Sequence, residues 1–244
     1  MEEVSLKKQL LNIPYTTECT FVERKNRFLG LVRISSDKNL EEVHIRDPGR
    51  LKEILYPGNQ VIIKRVENDH RKTSWDLIAG LVNDNWVLVN SGYHRRITER
   101  ILEDRDINPF GEIDNYQAEI MIGDSRIDFL LKKEETNIWV EVKGCTLSKN
   151  RMALFPDAPT TRGRRHMEEL SKAHKKGDKS AVIFLVFRPD SKCFSPNDAT
   201  DPEFSNAFWK AIEEGIDVYP LVFKYENGGL FYIKKIPLCE QFDS

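Results

Sequence analysis

Cysteine is scarce and scattered: Cys19, Cys145, Cys193 and Cys239 lie far apart in 244 residues, and no Cys-x-x-Cys occurs. That spacing argues against a zinc framework or a thioredoxin-like redox motif, and it reads as reduced thiols in a cytoplasm. No run of eighteen apolar residues exists, so no transmembrane helix and no membrane partner are expected. The start, Met1-Glu-Glu-Val-Ser-Leu-Lys-Lys8, lacks the apolar core of a signal peptide, and nothing asks for export. Internal repeats and low-complexity segments are absent. A charge excess of one sign is absent too: 37 Lys and Arg face 39 Asp and Glu, a formal net charge of −2. What remains is a chain with 40% hydrophobic and 31% charged residues, the composition of a globular protein with one large domain or two modest ones.

The charge is distributed unevenly. Between Lys143 and Lys179 ten Lys or Arg meet only Asp157, Glu168, Glu169 and Asp178. A local excess of this kind attracts polyanions, although a basic helix face open to solvent has the same appearance.

That basic stretch adjoins the most informative pattern in the chain. Arg126-Ile-Asp-Phe-Leu-Leu131 and Ile138-Trp-Val-Glu-Val-Lys143 read as two apolar strands around a polar loop, Lys132 to Asn137. If the hairpin is symmetric about that loop, Leu131 faces Ile138 and Asp128 faces Glu141. Lys143, two residues beyond Glu141, points to the same face. Two carboxylates and an ammonium on one side of a sheet can hold a hard divalent cation and position a water beside it. An Asp followed after a gap by Glu-x-Lys is the pattern of metal-dependent phosphodiesterases of the restriction-endonuclease kind, PD-(D/E)xK, with Ile127 here in place of the Pro. The pattern is short, and a second Glu-x-Lys at Glu23-Arg-Lys25 has no partner Asp. A solvent-facing cross-strand ion pair would look the same. The apolar character of both strands favours a central, covered sheet, where unpaired carboxylates are costly without a metal or the lysine.

The first part of the chain alternates apolar and polar residues. Strands are predicted at Cys19–Glu23, Arg27–Ile34, Gln60–Val66, Trp75–Val82 and Asn85–Asn90, with a short helix at Arg50–Leu55 stopped by Pro57-Gly58. Five strands with one helical connection suit a small barrel of the OB type, which binds single strands through basic grooves and aromatic stacking. Phe21, Phe28, Trp75 and Trp86 are candidates for stacking, or else they fill the barrel. In the second part, Tyr93–Arg105 is read as a helix. Strands follow at Ala118–Ile122, Arg126–Leu131 and Ile138–Val142, then a helix capped by Thr160 or Thr161 and running to about Lys175. A buried strand at Ser180–Phe187, a helix at Asp201–Glu214 and a hairpin around Asn227-Gly-Gly229 complete the order. Helix, three strands, helix, strand is the core order of the restriction-endonuclease-like fold. Residues 1–90 are therefore expected to form an OB-like domain and residues 91–244 a restriction-endonuclease-like α/β domain.

Phe155-Pro-Asp-Ala158, Thr160, Arg162-Gly163, His166 and Leu170 resemble the long motif of the sugar fermentation stimulation protein family. Ser125-Arg-x-Asp-Phe129, Glu141-Val-Lys143, His44 with Pro48-Gly-Arg-Leu51, and Arg24 with Arg27-Phe28 match other parts of it. The resemblance spans nearly the whole chain and implies the same two-domain fold. It also implies a DNA-binding protein with a regulatory role in sugar metabolism.

The expected chemistry is metal-dependent phosphodiester hydrolysis. Asp128 and Glu141, with the carbonyl of Val142, would hold Mg²⁺ or Mn²⁺, and Lys143 would attend the attacking water. Glu99, Glu103 and Glu119 remain open as a further ligand. Arg126, Arg162, Arg164, Arg165, His166 and Arg50 are the candidates for contact with nucleic acid. Arg126 would otherwise pair with Glu141. His166 would serve as a proton donor or make a structural hydrogen bond, and Asp157 would cap the helix that follows it. The partners expected are nucleic acid, DNA first, and a second copy of the chain. The rival readings are a non-catalytic DNA-binding regulator on a nuclease scaffold and a metabolic regulatory subunit without nucleic acid.

Overall fold

A computed structural model describes residues 7–34, 39–67 and 71–239. The strands of the first part are β1 (Lys8–Asn12), β2 (Thr17–Asn26), β3 (Leu29–Ile34), β4 (Leu40–His44), β5 (Gln60–Arg65), β6 (Trp75–Val82) and β7 (Asn85–Leu88). Strands β2 to β6 close on themselves. The order β4-β3-β2-β5-β6 is antiparallel, and the parallel pairing of β4 with β6 at Val43–Trp75 seals the barrel. Phe21, Val32, Val43, Val61, Ile63 and Leu77 fill it. The barrel is the expected OB type with five strands, but its membership differs from the sequence reading. The fifth strand is β4, whose Leu-Glu-Glu-Val-His carries too weak an alternation to show itself. Strand β7 leaves the barrel to join the second domain. The helix expected at Arg50–Leu55 is a single turn, with Leu51 O accepting from Ile54 and Leu55. Leu51 has φ +50°, a left-handed conformation that does not start a helix.

The second part contains α1 (His94–Glu103), β8 (Asn115–Ile122), β9 (Ser125–Lys133), β10 (Thr136–Cys145), β11 (Leu147–Lys149) and β12 (Met152–Phe155). It continues with α2 (Thr161–Lys175), β13 (Lys179–Val186), β14 (Cys193–Pro196), α3 (Pro202–Glu213), β15 (Asp217–Glu226) and β16 (Gly229–Lys235). The main sheet runs β7-β15-β13-β10-β9-β8, with β10, β13 and β15 parallel. Each face is covered. Ala181, Ile183 and Leu185 of β13 belong with Ile97 and Ile101 of α1. Val182, Phe184 and Val186 belong with Met167 and Leu170 of α2 and Phe204 and Phe208 of α3. Burial on both faces explains why β13 reads as an unbroken apolar run.

The barrel and the α/β domain share one continuous sheet. Tyr225 of β15 pairs with Trp86 of β7, and β1 pairs with β16. The apolar core of the barrel is likewise continuous with the core beneath α1. A separate sheet, β11-β12-β14, had no counterpart in the sequence reading. Its strands are three or four residues long; β11 and β12 form a tight hairpin, and β14 joins β12 across a long interval of chain.

The reading of four reduced thiols is corrected. Cys193 and Cys239 form a disulfide, while Cys19 and Cys145 are free and buried. The two half-cystines lie 46 residues apart in sequence and meet because the bridge Phe194–Leu238 lays the last described segment along β14. Among the described residues no helix is long and apolar enough to cross a membrane.

Candidate metal centre and nucleic-acid cleft

Strands β9 and β10 form the predicted hairpin in the predicted register. Leu131 pairs with Ile138 and Phe129 with Val140. The loop is shorter than expected: the strands run on to Lys133 and Thr136, leaving a turn at Glu134-Glu135 with Glu134 at φ +54°. Backbone pairing of β9 with β10 is not continued beyond Val140–Phe129. The next free amide, Val142 N–H, instead donates to Asp128 Oδ2 at 2.7 Å. The metal candidate thus holds the end of the ladder with one oxygen and keeps the other for the cleft.

Glu141 and Lys143 point toward α2, as residues two apart on a strand must. Lys143 Nζ pairs with Glu141 Oε1. His166, one turn beyond Arg162 on α2, places Nδ1 2.5 Å from the same oxygen. Arg162 Nε donates to His166 Nε2 at 3.3 Å. The accepting Nε2 fixes the proton on Nδ1, so the ring donates to Glu141 and orients it. His166 is 1% exposed and Glu141 2%. The expectation that His166 contacts nucleic acid or donates a proton to a leaving group is therefore corrected: it lies inside and positions Glu141.

Burial and the Glu141 charge push Asp128 up to about 6. Burial acts on Glu141 in the same direction, but the Lys143 ammonium and the His166 hydrogen bond outweigh it, and its carboxyl is held below the ordinary value. Two neighbouring carboxylates are thus set apart, Glu141 ionised and Asp128 near its titration point. Glu141 Oε2 is buried with no hydrogen-bond partner. An orphaned carboxylate oxygen beside a second carboxylate is the donor set a hard cation satisfies. Among the described residues no three His, Cys, Asp or Glu side chains converge to cage a metal. An open site with two carboxylates, completed by water and phosphate, is how Mg²⁺ is usually held.

These residues line a cleft of about 490 Å³ between the barrel and the α/β domain. The barrel contributes Arg27, Asp47, Pro48 and Gly49. The other wall carries Asp128, Glu141, Val142 and Lys143, the segment Phe155–Thr160, and Arg162. Two motifs far apart in sequence meet here. Asp157 does not cap α2; Thr160 does, accepting from Gly163 N–H at 2.9 Å. Asp157 instead reaches the barrel and accepts from Leu51 N–H at 3.0 Å. A Cβ on Gly49 would lie 2.6 Å from Asp157 Oδ2, so only glycine admits that approach. Arg24 threads the same loop, donating to the carbonyls of Arg27, Asp47, Gly49 and Arg50 at 2.7 to 3.2 Å. Burial pushes Asp47, in this loop, up to about 6.

Of the three open carboxylates, only Glu119 lines the cleft. Glu99 pairs with Arg95, and Glu103 with Arg100. The pairs Ala118–Phe129 and Ile120–Ile127 place Glu119 opposite Asp128. Glu119 adopts φ +58°, a strained conformation for a non-glycine residue. Its carboxylate is held by Arg126 at 3.2 Å and Arg95 at 3.5 Å. Arg126 thus pairs with Glu119, not with Glu141. Arg164 is tied to Glu203 and Glu168, Arg165 donates to Ser125 Oγ at 3.2 Å, and Arg50 is exposed outside the cleft lining. His94, also missed in sequence, stacks on Phe187 at 5.6 Å. A Cβ on Gly144 would lie 2.3 Å from its ring. Burial and the Lys143 charge lower His94 to about 4, so it is neutral at neutral pH.

Comparison with known proteins gives a consistent relationship. Residues 22–89 match the profile "SfsA N-terminal OB domain", and residues 92–229 match "Sugar fermentation stimulation protein RE domain". A sugar fermentation stimulation protein homolog from Methanococcoides burtonii is 46% identical over 240 residues, 96% of this chain and 97% of that one. A homolog from Methanothermobacter thermautotrophicus is 48% identical over 201 residues, 82% and 83% of the two chains. The structure of Pyrococcus furiosus SfsA in complex with Ca²⁺ superposes with a TM-score of 0.86 at 27% identity, covering 95% of this chain and 99% of that one. With an OB barrel joined to a restriction-endonuclease-like domain and close relatives along its length, the chain belongs to the sugar fermentation stimulation protein family.

Proposed function

We propose that the cleft is a divalent-metal-dependent phosphodiesterase centre acting on nucleic acid, with DNA as the first candidate. The observation that carries this reading is the buried, unpartnered Oε2 of Glu141 in the cleft that Asp128 also lines, with Lys143 paired to Glu141 and its charge acting on Asp128. A site meant only to bind a phosphate backbone has no use for two acidic groups at its centre, which repel the ligand. The P. furiosus relative was solved with Ca²⁺, a hard cation that shares the preference of Mg²⁺ and Mn²⁺ for carboxylate oxygen.

In this reading Asp128 and Glu141 hold Mg²⁺ or Mn²⁺ together with the Val142 carbonyl, and Glu119, which lines the same cleft, is a reserve carboxylate. A cation bound there supplies Lewis-acid activation of the phosphate and of a water. Lys143 keeps the hydrogen-bonding edge of that water and stabilises negative charge developing on the phosphate. His166 keeps Glu141 in one rotamer. Arg162 presents its remaining guanidinium donors at the N-terminus of α2, where the helix dipole also favours an anion. Arg126, Arg164, Arg165 and Arg50 lie outside this inner group, and their share is long-range attraction.

The test is a cleavage assay on labelled single- and double-stranded DNA and RNA with Mg²⁺, Mn²⁺ or EDTA, beside an Asp128→Ala control. Cutting that needs metal and disappears in the variant is expected. Salt-sensitive binding in both proteins with no cutting in either would instead make the chain a DNA-binding regulator on a nuclease scaffold.

A further inference from the structure

A second recess, of about 410 Å³, lies on the barrel side of the metal cleft and is lined by Phe28, His44, Arg46, Ser91 and Gly92. Ser91 lines both spaces. Arg27 lines the first, and its guanidinium lies over the Phe28 ring at 5.7 Å, so the two spaces adjoin at Ser91 and at the Arg27–Phe28 pair.

Of the four barrel aromatics considered for stacking, Phe28 is the exposed one, and of the exposed aromatics Tyr15, Phe28 and Tyr56 it is the one that lines the recess. Phe21 is buried in the core, Trp75 is partly buried with its indole N–H on Glu41, and Trp86 is partly buried in the sheet. Phe28 sits in the turn between β2 and β3 and remains 49% exposed. The turn is not loose. Asn26 Oδ1 accepts from Phe28 N–H at 2.9 Å, Phe28 O accepts from Ile45 N–H at 2.9 Å, and Arg27 Nε donates to Pro48 O at 3.2 Å. A large apolar ring is thus held open to water by a rigid backbone, beside cations. Arg46 pairs with Asp76 at 3.4 Å yet stays 42% exposed. Its carbonyl accepts from Ser91 Oγ at 2.6 Å, which fixes the far wall. A Cβ on Gly92 would lie 3.3 Å from Arg46 Cδ, so a larger residue there would press on that wall.

We propose that this recess is a nucleobase-stacking subsite, in which Phe28 carries an unpaired base while Arg27 and Arg46 hold the flanking phosphates. The inference rests on the phosphodiesterase reading of the cleft and specifies its substrate as single-stranded nucleic acid, or the unpaired end of a duplex, on the barrel side of the cut. A base inside a duplex has both faces covered by its neighbours and cannot stack on a lone side chain. One ring beside two guanidinium groups matches the repeating unit of a single strand, a π-face followed by a phosphate. Stacking is indifferent to base identity, so no sequence preference is expected from this subsite.

The test is fluorescence anisotropy in EDTA with labelled oligothymidylate, oligouridylate and a blunt DNA duplex, using the wild type, Phe28→Ala and Phe28→Trp, followed by cleavage with Mn²⁺ on the same substrates. The two single-stranded arms tell DNA from RNA. Phe28→Ala is expected to weaken single-strand binding about tenfold and to change duplex binding less than about twofold, with Phe28→Trp restoring the wild-type affinity. Equal single-strand affinity in wild type and Phe28→Ala overturns the subsite, as does an equal loss on duplex. Wild-type protein that binds no oligonucleotide in EDTA and cuts none with Mn²⁺ overturns the subsite and the phosphodiesterase reading together. Single-strand binding that depends on Phe28 with no cleavage of any substrate leaves the subsite standing and removes the phosphodiesterase. Metal-dependent cleavage indifferent to Phe28 does the reverse.

Discussion

Asp128→Asn should make the protein more stable while removing its metal site. In the folded chain Asp128 is half-buried beside Glu141, and burial together with that charge raises it from 3.8 to about 6. A raised carboxyl binds its proton more tightly in the folded state, so the folded form is penalised wherever the group must ionise. The penalty is absent below about pH 4, grows through the window between 3.8 and 6, and is complete above it. At about 1.4 kcal/mol per pH unit the full rise is worth about 3 kcal/mol; residual solvent contact reduces this to about 2 kcal/mol. Asparagine is neutral and nearly the same shape, and its Oδ1 can still accept from Val142 N–H. The variant should therefore gain about 2 kcal/mol at pH 7.5, or about 4–8 °C in melting temperature for a chain of this size, and nothing at pH 4. Thermal melts in EDTA at both values check this. A variant less stable than wild type at pH 7.5, or a gain independent of pH, would refute the proposed carboxylate repulsion. The same titration sets metal affinity, since the cation needs the ionised form. Mn²⁺ affinity should fall about tenfold per pH unit below about 6 and level off above it.

Other perturbations have definite outcomes. Lys143→Met leaves Asp128 and Glu141 buried without their main cation; it should cost about 3–5 kcal/mol in urea denaturation, with part recovered on adding Mn²⁺. Arg24→Met removes the donors to four carbonyls of the Asp47–Arg50 loop and Arg27. A loss of about 3 kcal/mol or more is expected, and amide exchange should rise at Leu51 before it rises in the main sheet. Opening the Cys193–Cys239 bridge with Cys193→Ser and Cys239→Ser frees a loop spanning 46 residues, and chain entropy alone sets the cost at about 4 kcal/mol. No change in the melting temperature of that variant would show that the bridge constrains nothing.

What could be read from the sequence depended on how local each feature is. The β9–β10 hairpin was legible because apolar residues flank a polar stretch symmetrically, which fixes the register up to Val140–Phe129, with Glu141 and Asp128 the next residue of each strand. Alternation also fixed the shared face of Glu141 and Lys143, and helical spacing the shared face of Arg162 and His166. It could not show that α2 lies against β10 so closely that His166 is buried on Glu141. Asp157 looked like a cap because its neighbours in sequence start a helix; its actual partner, Leu51, is 106 residues away. The disulfide depends on the path of the last described segment, and β1 and β14 are short strands whose partners, β16 and β12, are distant in sequence. Strand β4 was hidden by two adjacent glutamates, although the barrel cannot close without it. The role of Arg24 has no sequence signature, because its partners are backbone carbonyls, which any residue supplies.

The most direct test of the metal centre is anomalous diffraction from crystals soaked in Mn²⁺ at pH 7.5. The expected result is one peak in the cleft about 2.1 Å from an oxygen of Asp128 and an oxygen of Glu141, lost in Asp128→Asn crystals. An empty cleft in protein that still cuts nucleic acid with Mn²⁺, or a peak held by other side chains, would contradict the assignment of the reaction to these residues.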